Sequence, residues 1–493
     1  MEPAYVNRAL VQQDYGKEKA VIEIVLEGRF EAADQARNPF PLLSFDVPPG
    51  IVRLDVHYET DHPLRADQVG WQEGNIVDIG LFDPRGAEVD RGAGFRGWSG
   101  SSRASFSITP AEASPGYLPG TIYPGTWHVL LGLYQLAPQG CAYRVTVSLT
   151  QGDAVACTVP ADTPSTAPAM PAGGFRWYRG DLHAHTWHSD GSAPLADLVA
   201  AARAQSLDFI AVTEHNTISH LPLLPAHHTP GLLLIPGVEI STYHGHANVW
   251  PAQGFVEFRC QTTADMARVR EGVRASGALF SVNHPKDGGP AWEFDDLLDP
   301  DCIEVWGGPW IISNYQSLAA WDEQLHNGRR VTAVGGSDKH QGPFTGALGW
   351  YEIGTPCTWV YAEALSVEAI LAAIRAGHAF VSEGPDGPQL EMTGRTESTQ
   401  ARMGDVLHVV QGERFSLSCS VEGAAHQVLR LVSREETHEI EIDRDSFSLE
   451  MPFRADRDTY WRAEVIEPPE APLDEEPSAL IAKALGNPIY IRL

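Results

Sequence analysis

His183 and His185, and again Asp338 and His340, are spaced i, i+2. On an extended backbone this spacing turns both side chains of a pair to one side, where they can grip one ion. Asp190 follows the first pair in the loop 188–191, His-Ser-Asp-Gly. Glu214 and His215 end one apolar run, Glu239 and His284 end two others, and His246 stands in the segment 243–250. Imidazole nitrogen mixed with carboxylate oxygen suits Zn, Mn or Fe, whereas an all-oxygen set would favour Mg or Ca. Glu239, a lone carboxylate, is suited to bridging two ions. Two or three divalent transition metals are therefore expected. Such ions bring the pKa of water down towards about 7, so hydrolysis needs no protein nucleophile.

A single histidine after a strand is more often a packing residue than a ligand. The inference rests on recurrence, because successive strand ends each carry His, Asp or Glu. The expected ligands are His183, His185, Asp190, His215, Glu239, His246, His284, Asp338 and His340. Glu239, Asp338 and His215 are the expected catalytic groups, with Lys286 and Lys339, each beside a ligand, as partners for phosphate charge. His188, His220, His227 and His228 lack strand-end placement and read as loop or supporting residues; His244 reads as solvated.

Elements that converge must position these groups. The apolar runs 208–214, 231–239, 277–285, 302–308 and 330–338 read as buried strands, with helices expected near 263–276, 313–327 and 366–376. A further helix follows Pro194, with Leu195, Leu198, Val199 and Ala202 at helical spacing and Ser192 as its cap. Alternating strand and helix predicts a parallel α/β core, and in a barrel the C-terminal strand ends share one face.

Outside this segment the period changes to two. Val52, Leu54, Val56 and Tyr58 alternate with polar residues, as do Cys141, Tyr143, Val145, Val147 and Leu149. Phe415, Leu417, Cys419 and Val421 repeat the pattern near the other end. The expected organisation is an N-terminal β-sandwich (1–151), a Pro- and Gly-rich linker (152–174), a metallohydrolase barrel (175–387) and a C-terminal β-sandwich (388–493). In the last of these, an exposed loop at 467–477 precedes a final strand, Asn-Pro-Ile-Tyr-Ile-Arg-Leu.

The bulk composition narrows the partners. The 493 residues suggest about three domains. A net charge of -29 repels a phosphate backbone, which disfavours a large nucleic acid and leaves a small-molecule substrate. The cysteines at 141, 157, 260, 302, 357 and 419 form no CxxC pair and read as buried thiols. No apolar run reaches the length of a bilayer span, and the first residues lack a secretion signal, so a cytoplasmic protein without a membrane partner is expected.

The ordered set HxH with Ser-Asp-Gly, Thr-Glu-His-Asn, Gly-Val-Glu, Asn-His-Pro and Gly-Ser-Asp-Lys-His resembles the PHP superfamily, the polymerase and histidinol phosphatase metal-dependent phosphoesterases. The lead-in at 177–191 and the segment 375–385 resemble its carbaryl-hydrolase-like branch. The resemblance implies a distorted (β/α)7 barrel between β domains. It further implies one ion on His183, His185, Glu239 and Asp338, a second on Glu239, His284 and His246, and a third on Asp190, His215 and His340. Glu214 stands where the motif usually has Asp, and Asp190 where some trinuclear members have His. Phosphoester hydrolysis is the first expectation. Its rivals are hydrolysis of a carboxyl or carbamate ester, with Trp292, Trp306, Trp310 and Tyr315 either lining a pocket or filling the core, and a non-catalytic, metal-stabilised binding module.

Overall fold

The computed structural model describes residues 6–8, 20–64, 73–89, 92–153, 174–287, 291–295, 297–342, 352–469, 473 and 476–493. The interior of the expected linker and Cys157 lie outside them. The other five cysteines are buried thiols.

Period-two patterning produces the N-terminal sheets. Ile51–Thr60 buries Leu54, Val56 and Tyr58, and Cys141–Gln151 buries Cys141, Tyr143, Val145, Val147 and Leu149. A bulge between Ile51 and Arg53 turns Ile51 inward and leaves Val52 half-buried, correcting the expected face of Val52. These strands belong to an antiparallel sheet of five; a second antiparallel sheet of four contains Leu42–Val47, Gly125–Gln135, Ile76–Phe82 and Phe95–Gly100. Leu26, Leu54 and Val147 from one sheet and Phe45, Ile79 and Leu131 from the other share one apolar cluster.

The middle segment is mixed α/β. Arg176–Asp181, Phe209–His215 and Leu233–Thr242 pair in parallel, as do Leu279–Val282, Cys302–Gly307 and Thr332–Gly336. Between the two sets runs Gly245–Trp250, antiparallel to both neighbours and not foreseen from sequence. It was hidden because Leu233–Thr242 does not stop at Glu239 but continues into a tight hairpin at Tyr243 and His244. Arg176–Asp181 pairs on its other side with Cys357–Ala362, and the segments just after the first and last of the seven strands meet: Asp338 N donates to His183 O at 2.8 Å and His185 N to Lys339 O at 3.1 Å. Gly336 permits this approach, since a Cβ there would lie 2.4 Å from the Cβ of His183.

Helices form at Leu195–Ala204, Thr263–Ala275, Asn314–His326 and Val367–Ala376. The first buries Leu195, Leu198 and Ala202, but its cap is Pro194 and no side chain caps it. Ser192 Oγ instead accepts from Gly342 N at 2.7 Å, tying the Asp190 loop to the chain after His340.

The C-terminal strands do not all form a separate sandwich. Ala379–Ser382 pairs with Ala482–Gly486, so the central sheet runs on through Thr459–Ile466, Val428–Ser433 and Thr437–Glu441, while Gln389–Arg395 and Arg414–Glu422 lie in another sheet. Ile210 and Val212 accordingly share a core cluster with Leu417, Val465 and Ile489. Of the expected exposed loop, Pro468, Glu476 and Pro477 are exposed, whereas Glu467, Pro469 and Leu473 are half-buried, Leu473 packing against the core. No helix among the described residues is long and apolar enough to cross a membrane.

Candidate metal centre

The nine expected ligands gather at one end of the central strands. His183 Nε2 lies 3.3 Å from both Glu239 Oε1 and Asp338 Oδ1, and His185 Nε2 lies 3.1 Å from Asp338 Oδ1. Glu239 Oε1 is 3.2 Å from His246 Nδ1 and 3.4 Å from His284 Nε2. On the other side, Asp190 Oδ1 is 3.3 Å from His340 Nε2 and 3.5 Å from His215 Nε2, and these two nitrogens are 3.1 Å apart. The ligand atoms of His185, Asp190, His215 and His340 all lie within 4.8 Å of one another, as do those of His183, His185 and Glu239, and those of His215, Glu239 and His246.

The outer nitrogens explain which inner ones are free. His183 Nδ1 faces Glu304 Oε1 at 2.9 Å, and His340 Nδ1 faces the carbonyl of Asp338 at 2.9 Å. Each contact engages Nδ1 and leaves an Nε2 lone pair for an ion. His183 Nε2 and Glu239 Oε2 are buried among other titratable side chains, with Glu239 Oε2 2.8 Å from His215 Nδ1. Nitrogen and oxygen donors buried together in a cluster of imidazoles and carboxylates fit divalent transition metals.

Electrostatics without an ion point the same way. Burial works to raise the carboxyl of Glu239, yet His183, His246 and His215 hold it well below the usual range. Burial likewise opposes ionisation of Asp190, and His340 and His215 outweigh it, bringing the group down to about 2. The imidazoles thus supply the positive charge that an ion would otherwise bring. His284 and Asp338 have positive φ, 29° and 51°, a left-handed backbone that costs of order 1–3 kcal/mol each and persists where the surroundings enforce it.

Residues that the sequence reading did not single out support the ligands. Glu304 holds His183 and accepts from His284 N at 3.1 Å, and Asn283 Nδ2 donates to Glu239 Oε1 at 2.9 Å. Asp181 accepts from the backbone N of His183, Ser337 and Gly354 at 3.0, 2.9 and 2.8 Å, joining the first strand to the last. The available signal was an acid inside an apolar strand, Glu304 in Cys-Ile-Glu-Val-Trp. Glu214 accepts from Thr186 N at 3.0 Å and Ser189 Oγ at 2.6 Å, and so braces the loop carrying Asp190. Burial pushes its carboxyl up to about 7, against those bonds.

The two lysines are turned to other partners. Lys286 Nζ donates to Gly307 O and Asn314 Oδ1, both at 2.7 Å, and burial brings its pKa down to about 8. Lys339 is buried, which lowers its pKa, and the charge opposing that shift is Glu352. His188 and His220 are buried supporting residues, with His188 Nδ1 2.8 Å from Ser219 Oγ and His220 Nε2 3.0 Å from Gly237 O. His244 is half-exposed and lies 2.8 Å from Glu293, so it is hydrogen-bonded rather than simply solvated. Trp306 and Trp310 stack edge to face in the core, while Trp292 and Tyr315 are half-buried against it.

Residues 181–282 match the family described as the PHP domain. No curated protein matches the chain. Among solved structures, the chain is similar to a two-domain protein from Bacteroides vulgatus containing a predicted PHP-like metal-dependent phosphoesterase. Identity is 18%, the TM-score 0.36, and the match covers 68% of this chain and 100% of that one. It is also similar to a candidate metal-dependent phosphoesterase from Bifidobacterium adolescentis, with 17% identity, TM-score 0.27, and 35% and 91% coverage. A third is an amidohydrolase from Chromobacterium violaceum, with 14% identity, TM-score 0.25, and 33% and 88% coverage.

Proposed function

With a PHP domain over residues 181–282 as the premise, we propose that the chain is a metal-dependent phosphoesterase that hydrolyses a small phosphorylated molecule. The observation that carries this reading is the convergence of imidazole and carboxylate donor atoms from separate strand ends into groups whose atoms all lie within 4.8 Å of one another. We read the seven central strands as the distorted (β/α)7 barrel of that family, supported by the hydrogen bonds between the segments that follow its first and last strands.

Three ion positions are assigned. His183, His185, Glu239 and Asp338 hold the first; Glu239, His246 and His284 the second; Asp190, His215 and His340 the third. Bound Zn, Mn or Fe supplies Lewis acidity, which lowers the pKa of water and polarises a phosphoryl oxygen. The chain's own residues do the positioning. Glu304 keeps the proton of His183 on Nδ1, so that Nε2 stays a ligand. Asn283 sets the rotamer of Glu239 by donating to Oε1, the oxygen that His183, His246 and His284 also approach. Lys286 ties the turn after His284 to Gly307 and Asn314, which makes it a positioning residue rather than a phosphate contact.

The test is a substrate panel with Mn, Zn and Fe: p-nitrophenyl phosphate, bis-p-nitrophenyl phosphate, a nucleotide 3′,5′-bisphosphate and an aryl carbamate. Turnover of a phosphoester is expected. Turnover confined to the carbamate overturns the phosphoesterase reading, and a metal-replete preparation holding no transition metal overturns the hydrolase reading altogether.

A further inference from the structure

Eight of the nine proposed ligands lie in or within four residues of a central strand, whereas Asp190 sits in the turn 186–191. Its position depends on what holds that turn. Glu214 braces it from below, and the N-terminal sheets grip it from the other side. Arg103 Nη2 donates to the carbonyl of Trp187. Ser102 Oγ lies 2.9 Å from the carbonyl of Ser189 and 2.6 Å from that of Ser99, between which its single proton is divided.

A second contact converges on the same turn. The Gly116 peptide is engaged at both ends: its N donates to Ser219 Oγ at 3.1 Å, and its carbonyl accepts from Thr217 Oγ1 at 2.7 Å. Ser219 Oγ in turn lies 2.8 Å from His188 Nδ1. Gly116 has φ +94°, and a Cβ there would lie 2.9 Å from the carbonyl oxygen of His188, so the two backbones meet with no room for a side chain. Thus the carbonyls of Trp187, His188 and Ser189, the three residues before Asp190, each abut the N-terminal sheets.

We propose that the N-terminal sheets complete the metal centre: Arg103 and Gly116 position the Asp190 turn, and through it the third ion on Asp190, His215 and His340. The sheets are then a working part of the site and not a separate module. This inference rests on the multi-ion reading above. It predicts an asymmetry, because the first two ion positions draw no ligand from the gripped turn. Loss of partners that orient a metal ligand typically weakens binding about 10–100-fold.

The experiment compares the full chain with Asp190→Asn, Arg103→Met, Arg103→Lys and Gly116→Ala. Metal content after dialysis against limiting Zn is measured by elemental analysis, and Co titration followed by its visible spectrum gives each site's affinity. Three ions are expected in the unaltered chain and two in Asp190→Asn. Arg103→Met and Gly116→Ala are expected to weaken only the last-filling site, by about 10–100-fold, and Arg103→Lys to recover part of that loss. Circular dichroism identifies any variant that fails to fold; the other variant then decides. Three ions of unchanged affinity in a folded Arg103→Met or Gly116→Ala overturn the proposal. Equal weakening of all sites also overturns it, since that marks general loosening. Fewer than three ions in the unaltered chain overturn the third-site reading itself, and with it this proposal, a result visible before any variant is compared.

Discussion

Two buried clusters of charge in this molecule are built on opposite plans. Beneath the Asn314–His326 helix, Arg462 meets Asp322 through two bonds, Nε to Oδ1 at 2.9 Å and Nη2 to Oδ2 at 2.8 Å, and also contacts Glu464, which a second guanidinium, Arg430, shares. Each buried carboxylate has a guanidinium, and Arg430 also reaches the more exposed Glu439 at 3.2 Å. In the metal centre, Glu239, Asp338, Asp190 and Glu304 face histidines. A structural cluster neutralises itself; a binding cluster leaves positive charge and coordination to be supplied from outside.

The largest expected effect falls on activity. Glu239→Ala removes the carboxylate shared by two proposed ions and is expected to lower kcat by at least about three decades, ~4 kcal/mol of barrier. Circular dichroism should show the fold retained. Turnover close to that of the unaltered chain would place the reaction elsewhere.

The paired cluster should respond in the reverse sense. Arg462→Met strands Asp322 in the interior and leaves Glu464 with Arg430 alone, and breaking one side of a buried ion pair costs about 3–5 kcal/mol. Urea unfolding is expected to report that loss while metal content stays unchanged. A loss of ions without a loss of stability would erase the contrast between the clusters.

Asp78 is an intermediate case. It lies on an N-terminal strand and accepts from Tyr243 OH at 2.9 Å, and burial pushes its carboxyl up to about 7, against that bond. A folded-state pKa above the unfolded value near 4 means that the folded protein binds the extra proton between those limits. Its stabilising contribution is complete below about pH 4 and declines by about 1.4 kcal/mol per unit as pH rises towards 7. The stability difference between the chelator-treated protein and its Asp78→Asn variant should follow that decline. A difference independent of pH would mean that Asp78 is ionised in the fold.

These contrasts also show what the primary structure could and could not disclose. The i, i+2 pairs and the apolar runs before them were legible because ligand geometry and strand period are local properties. The Gly245–Trp250 strand was not, because its alternation is masked by burial on both faces. Nor was the run of the central sheet into the C-terminal strands, which depends on Ala379–Ser382 finding Ala482–Gly486 about a hundred residues away. Supporting residues escaped for a related reason. Glu304 looks like any acid in a strand until His183 is known to stand beside it, and Lys286 looks available until Asn314 is seen next to it.

Glu304 gives the smallest predicted effect and the sharpest division between the two plans. It sits 2.9 Å from His183 Nδ1 and 3.1 Å from the backbone N of His284, so it touches one ligand of each of the first two proposed ions. Glu304→Gln keeps the size and an acceptor oxygen but removes the charge, so His183 becomes a weaker base at Nε2. Metal affinity is expected to fall about 10–100-fold, with the third position unaffected and thermal stability of the chelated protein nearly unchanged. Glu304→Ala, which also abandons the His284 backbone, should weaken binding further. Were Glu304→Gln instead to destabilise the metal-free fold as Arg462→Met does, Glu304 would belong with the self-neutralising cluster, as one half of an ion pair with a protonated His183.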